Sequence, residues 1–236
     1  VIVVENMSKS YEMGEVTVHA LREVCLEVMP DEVTVILGPS GCGKTTLLNQ
    51  IGGIDTPTEG SIEVNGDDIA GWDQRALTSY RQRHIGFVFQ FFNLIPNLTA
   101  RENVEFVLEY VMDLPREKVR DKSLKFLEEV GLGDRGDHYP FQMSGGEQQR
   151  VSIARALSKN PDILLADEPT GELDYQTGKR ILKLLTSFAS GKRSVLIVTH
   201  NKELAKIAHR VFYLKDGRIE REETCENPGS VSGLEW

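Results

Sequence analysis

The sequence predicts an α/β fold with a parallel sheet at its centre, and three observations support this. Four short runs consist almost entirely of apolar residues, as strands buried on both faces do; they occupy 33–37, 85–89, 162–166 and 195–199. Segments with helical periodicity separate these runs, which favours helices packed against a parallel sheet. A length of 236 residues, of which 40% are hydrophobic and 27% charged, is enough for one large domain with a buried core.

The other strand-like segments are expected to be antiparallel and to form one edge of the fold. Three of them lie at 1–4, 16–28 and 61–65. A hairpin is predicted near the end of the chain, where Asp216-Gly217 separates VFYLK from RIERE, because Asp-Gly is favoured in two-residue hairpin turns.

The stretch from about 91 to 140 has no strand-like run and contains two helical patterns, at about 100–112 and 116–130. We interpret it as an inserted helical subdomain. The residues from Glu222 onwards are polar and aperiodic, which indicates a mobile tail. The predicted organisation is a core of residues 1–90 and 141–221, a helical subdomain of about 91–140, and a tail of 222–236.

Charge and hydropathy exclude two classes of protein. With 27 Lys and Arg against 36 Asp and Glu, the net charge of −9 opposes binding to nucleic-acid phosphates or to anionic lipid. The longest apolar runs have four residues, whereas a membrane-spanning helix needs about 20. We therefore expect no nucleic-acid partner and no direct lipid insertion. Cys25, Cys42 and Cys225 are far apart without a C-x-x-C pair, which favours the reducing cytoplasm over a disulfide framework or a zinc site.

A glycine-rich loop follows the strand at 33–37. Gly38-Pro39-Ser40-Gly41-Cys42-Gly43-Lys44-Thr45 matches G-x-x-x-x-G-K-[ST]. Its backbone N–H groups are expected to surround a phosphate, and the helix predicted at about 44–51 directs its positive end at that charge. Lys44 is expected to reach the β- and γ-phosphates and Thr45 to bind Mg²⁺. Cys42 is either a thiol made reactive by the helix N-terminus or a tolerated small residue.

Two adjacent carboxylates end the strand at 162–166. Asp167 and Glu168 lie where the carboxyl end of a strand meets the ligand crevice of an α/β sheet. Asp167 is expected to hold Mg²⁺, while Glu168 orients and deprotonates the attacking water. An acidic pair in this position is otherwise common as a helix cap or a solvated turn, but the nearby phosphate loop favours the functional interpretation.

A second candidate anion site opens the helical pattern after residue 144. Ser144 and Glu147 have the spacing of a capping box, which is typical of an ordinary helix start. Gly145 and Gly146 are not explained by a cap, because glycine at a helix entry is favoured where the backbone must approach a ligand closely. The loop at 38–45 already provides a phosphate site for one nucleotide. A second anion site therefore suggests a composite nucleotide site completed by another subunit.

In order and spacing, six segments resemble the ATP-binding-cassette ATPases, here called ABC ATPases. They are GPSGCGKTT, Gln90 after IGFVF, SGGEQQR, ILLADEP, Thr170-Gly171-Glu172-Leu173-Asp174, and His200 after VLIVT. The resemblance covers residues 1–221, and SGGEQ is its most specific motif because other phosphate-loop proteins lack it. A phosphate-loop kinase or GTPase is the alternative, for which SGGEQ would be accidental.

The resemblance implies a P-loop NTPase fold of the RecA-like type with an antiparallel β edge. It implies ATP and Mg²⁺ as ligands, ATP hydrolysis, and an ATP-dependent head-to-tail homodimer. On this interpretation Glu168, His200 and Lys44 are catalytic, and Thr45, Gln90 and Asp167 hold the metal. The residues expected to contact ATP are Tyr11, Gly38, Pro39, Ser40, Gly41, Cys42, Gly43, Lys44, Thr45, Thr46, Gln90, Ser144, Gly145, Gly146 and Glu147.

Three single residues have specific expected roles. Tyr11 resembles the aromatic residue that stacks on adenine, and Gln90 the glutamine that touches Mg²⁺ and the attacking water. His200 resembles the histidine that contacts the γ-phosphate and holds Glu168 in place. Glu172 departs from the family pattern, which has a small or amide residue there, and adds a negative charge near the predicted dimer seam.

Two segments resemble the lipoprotein-releasing and macrolide-export group: 51–60 and 87–99. The expected partner is an integral membrane permease that docks near Phe91–Pro96, on an apolar surface of Phe91, Phe92, Leu94 and Ile95. The expected function is to power export or extraction of a lipoprotein, peptide or drug-like substrate from the cytoplasmic face of the membrane. The alternative is a non-transport ABC ATPase that regulates a permease-like partner in cell division.

Overall fold

A computed structural model describes residues 1–234 of the chain and contains two β-sheets and several helices. The strands within this range are β1 (Ile2–Met13), β2 (Val16–Val28), β3 (Val33–Leu37), β4 (Glu59–Val64), β5 (Asp67–Asp68), β6 (Ile85–Val88), β7 (Ile163–Asp167), β8 (Ser194–Thr199), β9 (Arg210–Lys215) and β10 (Arg218–Thr224).

The main sheet has the strand order β10-β9-β3-β8-β7-β6. The neighbouring pairs from β9 to β6 are parallel, and β10 pairs antiparallel with β9 at one edge. The predicted parallel core is therefore confirmed. Its four apolar runs become β3, β6, β7 and β8, and β3 and β7 are buried at every residue because layers cover both faces of the sheet.

The antiparallel strands predicted near the amino terminus form a sheet of their own, in the order β2-β1-β4-β5. The predicted hairpin is confirmed as β9 and β10. Its turn residues Asp216 and Gly217 have φ values of +48° and +77°, the left-handed conformation that a two-residue hairpin turn favours.

The helices of eight or more residues within 1–234 are α1 (Lys44–Ile51), α2 (Gln74–His84), α3 (Ala100–Tyr110), α4 (Arg116–Glu129), α5 (Gly145–Ser158) and α6 (Tyr175–Phe188). α2 was not individually predicted, because only Leu77 and Tyr80 of its residues are buried and they leave a weak apolar period. No helix in the described range combines the length and the apolar character needed to cross a bilayer.

Two apolar cores lie on the two faces of the main sheet. On β3, Val33 and Val35 face the core that contains α3 to α6, while Ile36 faces the core shared with α1 and the antiparallel sheet. This alternation follows from the two-residue period of a strand. Fully buried Leu47 and Leu48 anchor α1 in the second core, and burial of each such side chain stabilises the fold by about 1.5–3 kcal/mol. The phosphate loop therefore lies on a rigid support.

The first residues of the predicted mobile tail belong to a strand, and two residues near its end are buried. Residues 222–224 belong to β10 and pair with β9, and Arg210 donates to the Glu222 carboxylate. Further on, Val231 and Leu234 are buried, and the Tyr175 hydroxyl donates to the carbonyl of Leu234 at 2.8 Å. The strand at 222–224 was missed because a charged edge strand has the same polar, aperiodic composition as a tail; the mobility of the segment stays a prediction. The final two predicted tail residues, 235 and 236, lie outside the described range.

Candidate functional site

The phosphate loop has a backbone that only glycine adopts easily. Gly41 and Gly43 have φ values of +79° and +106°. A Cβ on Gly43 would also lie 2.6 Å from the carbonyl oxygen of Ala20, which is too close for any side chain. Gly43 is the N-cap of α1 and supplies no side-chain hydrogen bond, so the first N–H groups of α1 keep their capacity to bind an anion.

Lys44 lies inside the loop. Its Nζ donates to the carbonyl oxygens of Gly38 at 2.8 Å and Pro39 at 2.9 Å, and the side chain is buried. A buried ammonium needs acceptors, and the loop carbonyls provide them here. The same ammonium is well placed to exchange these neutral acceptors for phosphate oxygens, which form stronger charge-assisted bonds.

A cavity of about 420 Å³ opens beside the loop and is lined by Gly43, Lys44, Thr45 and Thr46. Its opposite wall comes from distant parts of the chain, namely Val18, His19, Ala20 and Arg22 near β2 and the turn residues Asp216 and Gly217. Sequence analysis missed this wall, because no local motif marks residues that two sheets bring together.

The carboxyl ends of four parallel strands bring the predicted polar residues to one edge of the sheet. Leu37 of β3 is in register with Thr199 of β8, Val198 with Asp167 of β7, and Ala166 with Val88 of β6. Gly38, His200 and Glu168 directly follow these positions, and Gln90 lies two residues beyond Val88. The strand register thus places the phosphate loop, the acidic pair, the histidine and the glutamine along the same edge.

Asp167 forms the direct link between this edge and the phosphate loop. The Thr45 hydroxyl donates to Asp167 Oδ2 at 2.7 Å. Burial raises the pKa of Asp167, and the nearby Glu168 carboxylate adds to this, while the Thr45 hydrogen bond and Lys44 oppose it. A buried carboxylate and a hydroxyl in contact form an oxygen pair that suits a hard divalent cation such as Mg²⁺.

Glu168 is held at both carboxylate oxygens. The Thr199 hydroxyl donates to Oε2 at 2.7 Å, while the backbone N–H of His200 and its ring Nδ1 bond to Oε1 at 2.9 and 2.7 Å. Glu168 has a φ of +46°, an uncommon conformation for a residue with a side chain. Thr199 is almost fully buried and was missed by sequence analysis; its position directly before His200 was the available signal.

The second anion site has an intact cap. Ser144 precedes α5, and its hydroxyl accepts from the N–H of Glu147 at 3.3 Å while the Glu147 carboxylate accepts from the N–H of Ser144 at 2.8 Å. The predicted capping box is therefore present. These bonds lower the pKa of Glu147, chiefly through the backbone N–H of Ser144.

The sequence and fold of known proteins match this arrangement. The family model for ABC transporters matches residues 21–171, which is more than half of the chain. The chain belongs to the ABC transporter family. Within that family it is an ATP-binding ATPase, and the match includes the phosphate loop, the α5 motif and the acidic pair.

Several relatives align over most of the chain. An uncharacterized ABC transporter ATP-binding protein of Thermotoga maritima is 46% identical over 95% of this chain and 94% of its own length. The Methanocaldococcus jannaschii protein MJ0796 is 46% identical over 94% of this chain and 96% of its own length. The macrolide export ATP-binding/permease protein MacB of Sodalis glossinidius is 42% identical over 92% of this chain but only 33% of its own length.

A solved structure has the same fold. The dimeric post-hydrolysis state of the MJ0796 cassette, bound to ADP and Pi, superposes with a TM-score of 0.92 at 44% identity, covering 96% of this chain and 100% of that chain. This match confirms the predicted P-loop NTPase fold class. It also fits ATP as the nucleotide bound by this family member.

Tyr11, the residue expected to stack on adenine, lies on β1 beside Lys9 and Asp55. Its hydroxyl donates to Asp55 Oδ2 at 2.9 Å, and Lys9 Nζ is 4.9 Å from the ring centroid. Burial and the Asp55 carboxylate raise the pKa of Tyr11, and the Thr46 hydroxyl partly offsets this. The residue as a whole is 37% exposed, so part of it is open to solvent. Adenine stacking by Tyr11 remains a prediction.

Cys42 is a small packed residue within the loop. Its side chain is 6% exposed, and burial raises the pKa of the thiol, although Lys44 opposes the change. A raised pKa reduces the thiolate fraction, which disfavours the reactive-thiol interpretation. Of the two interpretations of Cys42, the structure favours the tolerated small residue.

Glu172 lies next to the start of α5. A Cβ on Gly145 would stand 3.5 Å from Glu172 Oε2, and one on Gly146 would stand 3.0 Å from the Glu172 carbonyl oxygen. The unusual carboxylate of this ABC ATPase is therefore beside the helix end that is predicted to meet a phosphate. A phosphate bound at this helix end would be repelled by the Glu172 carboxylate.

Proposed function

We propose that this ABC ATPase binds Mg·ATP in two sites shared by a head-to-tail homodimer and hydrolyses it to drive a separate membrane permease. The observation that carries the proposal is the sheet edge where Thr45 meets Asp167 and where Thr199 and His200 hold Glu168. One edge thus has groups for phosphate binding, for a cation and for a general base.

The residues present fit Mg²⁺. The contact between Thr45 and the buried Asp167 provides two hard oxygen ligands, and the Gln90 amide oxygen follows the neighbouring strand. Thr45, Asp167 and Gln90 would hold the ion, which when bound neutralises charge on the β- and γ-phosphates.

The chain's own groups account for the hydrolytic step. Lys44 and the N–H groups at the start of α1 bind phosphate oxygens and stabilise the charge that develops during reaction. Glu168 accepts a proton from the water whose oxygen attacks the γ-phosphorus. The bond between the γ-phosphorus and the oxygen that bridges it to the β-phosphate breaks, which releases ADP and phosphate. His200 and Thr199 hold the Glu168 carboxylate against rotation.

The composite site rests on the amino end of α5. Ser144, Gly145 and Gly146 offer a hydroxyl and backbone N–H groups, and Glu147 is part of the cap that orients them. They would contact the γ-phosphate held by a second copy. The dimeric state of the related MJ0796 cassette supports a homodimer for this chain.

The permease is proposed to dock beside the loop after β6. Phe91 is 81% exposed and Ile95 is 37% exposed, whereas Phe92 and Leu94 are half-buried and contribute less free surface. A groove of about 300 Å³ next to them is lined mainly by apolar groups, including Phe87, Phe89 and Phe106. An exposed apolar groove of this kind suits an apolar segment of a partner.

The substrate class is proposed from the relatives. MacB of Sodalis glossinidius is a macrolide export ATP-binding/permease protein, and its similarity supports export of a drug-like, peptide or lipoprotein substrate by this chain's complex. The ATPase would then work on the cytoplasmic face of the membrane, attached through its permease. Purification of the membrane complex followed by a substrate-transport assay tests this part; a tight complex without transport would favour the cell-division alternative.

Glu168→Gln tests the catalytic assignment. The variant should bind ATP normally, hydrolyse it at least about 100-fold more slowly because the base is lost, and accumulate as an ATP-bound dimer in size-exclusion chromatography. Thr199→Val should keep the base but release one of its oxygens, and should reduce kcat by about tenfold. A Glu168→Gln variant with the parental rate would show that another group accepts the proton.

A further inference from the structure

The loop that follows β6 is held in place by an arginine of α5. Arg155 donates to the carbonyl oxygen of Asn93 at 2.5 Å and to that of Phe92 at 2.8 Å. Both carbonyls are two or three residues beyond Gln90. The planar guanidinium can bond both at once, which a single ammonium cannot do with the same geometry.

The backbone at these two positions is strained. Phe92 has a φ of +61° and Asn93 a φ of +48°. A left-handed conformation costs roughly 1–2 kcal/mol for a residue with a Cβ, and least for asparagine. The conformation therefore needs support from its surroundings, and the two bonds from Arg155 act directly on the carbonyls that it orients.

Arg155 is half-buried and lines the apolar groove described above, and it has no acidic partner among the described residues; its hydrogen bonds go to the loop carbonyls. Burial lowers the pKa of its guanidinium to about 10, so it is still charged at neutral pH. A partly buried charge without a carboxylate partner needs hydrogen-bond acceptors, and the two loop carbonyls provide them here. Its hydrogen bonds therefore point to a role in placing the loop rather than in packing.

Two further contacts make the connection rigid. One turn beyond Arg155, Lys159 Nζ donates to the carbonyl oxygens of Arg81 at 2.5 Å and Ile85 at 2.6 Å, at the entry to β6. On the other side, Asn103 of α3 bonds to both the N–H and the carbonyl of Ile95. α5 therefore contacts the chain before and after β6, and the loop with Gln90 is bonded to it on both sides.

We propose that Arg155 is a positioning residue for ATP hydrolysis. By holding the carbonyls of Phe92 and Asn93, it sets the place of Gln90 relative to α5. Arg155 thereby links Gln90, which is proposed to act on the nucleotide of its own subunit, to α5, whose amino end is proposed to bind the γ-phosphate held by the second copy. This inference rests on the proposed roles of Gln90 and of the α5 terminus.

The test compares Arg155→Met with Arg193→Met in the full chain. Arg193 also donates to a backbone carbonyl, that of Ser190, and its guanidinium lies 4.5 Å from the Phe188 ring, but it lies at the turn before β8. The measurements are steady-state ATPase, affinity for a fluorescent ATP analogue, Tm, and amide hydrogen exchange at 91–95.

For Arg155→Met, kcat should fall by about tenfold or more with KM within about twofold, because misplacing Gln90 affects the reaction more than ATP binding. Hydrogen exchange at 91–95 should become at least about tenfold faster. Arg193→Met should lower Tm but retain the parental kcat and the parental exchange at 91–95.

If Arg155→Met does not fold, Arg155→Lys decides the question, since one ammonium should restore only part of kcat and of exchange protection. Parental kcat and exchange in a folded Arg155 variant would overturn the proposal, as would a change that Arg193→Met reproduces. Glu168→Gln is measured in the same assay. A parental rate in that variant would refute the proposed function itself, whatever Arg155 does.

Discussion

The two helix starts proposed to bind phosphate, those of α1 and α5, are built in opposite ways. α1 begins after Gly43, which has a left-handed backbone and gives no side-chain cap. α5 begins after Ser144, whose hydroxyl and backbone N–H are both used in a capping box with Glu147. The amino end of α1 is therefore open to a ligand, whereas at α5 the cap already occupies the Ser144 hydroxyl and the Glu147 N–H.

This difference predicts that the two ends contribute at different stages of the cycle. At α1, phosphate replaces neutral loop carbonyls around Lys44 with charged oxygens. At α5, phosphate must compete with an existing cap and approach the carboxylate of Glu172. Tight nucleotide binding by one subunit and weaker, reversible closure of the dimer should follow.

The largest effect is expected from Lys44→Ala. Loss of a buried, charge-assisted contact costs about 3 kcal/mol, which corresponds to ATP binding at least about 100-fold weaker. Titration with a fluorescent ATP analogue measures this directly, and no ATP-dependent dimer should form. Parental affinity in this variant would mean that Lys44 keeps its bonds to Gly38 and Pro39 when nucleotide binds.

Ser144→Ala should distinguish the contribution of the α5 helix start from that of the α1 helix start. It removes a cap worth about 1 kcal/mol and a proposed γ-phosphate contact, so ATP affinity of the single subunit should be unchanged while dimerisation weakens about tenfold. Thr99→Ala is the matched control, because Thr99 forms the same capping box with Glu102 on α3. Each substitution is made in the Glu168→Gln variant, and dimerisation of the two proteins is compared by sedimentation velocity. Equal dimerisation in both would argue against an α5 contact with phosphate.

Glu172→Gln should change dimerisation in the opposite direction. Removal of a negative charge beside Gly145 should strengthen the ATP-bound dimer about threefold, and the gain should shrink as salt screens the charge. Glu129→Gln, an exposed position on α4, controls for net charge. The same sedimentation experiment at low and high salt checks this, and a weaker dimer would show that Glu172 makes a favourable contact.

The smallest expected effect is the pH dependence of the α5 cap. Because bonds from Ser144 lower the pKa of Glu147 in the folded protein, its contribution to stability is present above about pH 4.5 and is lost as pH falls through the folded-state value. Glu147→Gln should remove that part of the acid sensitivity, worth less than about 1 kcal/mol. Urea unfolding of both proteins between pH 6 and pH 3.5 measures the difference, and parallel curves would contradict it.

The fold elements with strong local signals were predictable. The helix at 44–51 and the hairpin at Asp216-Gly217 agree with the structure, because glycine geometry and apolar runs determine them locally. Residues 222–224 were not recognised as a strand, since an exposed edge strand needs no apolar period. The division at about 91 and 140 stays a prediction.

The candidate site was predictable as far as it depends on motifs. The loop, the acidic pair and His200 follow directly on buried strands, so a parallel sheet must bring them to one edge. The contact of Thr199 with Glu168 was not predictable, because it depends on the direction of the side chain. The cavity wall that includes His19 was not predictable either, because it depends on packing between the two sheets. The pKa of Cys42 also depends on burial, which opposes the effect expected from the helix end.

The left-handed backbone of Glu168 implies a trade-off between stability and activity. Glycine at this position would relieve roughly 1 kcal/mol of conformational strain, and asparagine would relieve part of it. Against that gain stand the hydrogen bonds that the carboxylate accepts from Thr199 and His200, whose loss would leave the buried Thr199 hydroxyl without this acceptor. The strain at residue 168 is therefore the cost of a base whose orientation is fixed by its neighbours before any nucleotide arrives.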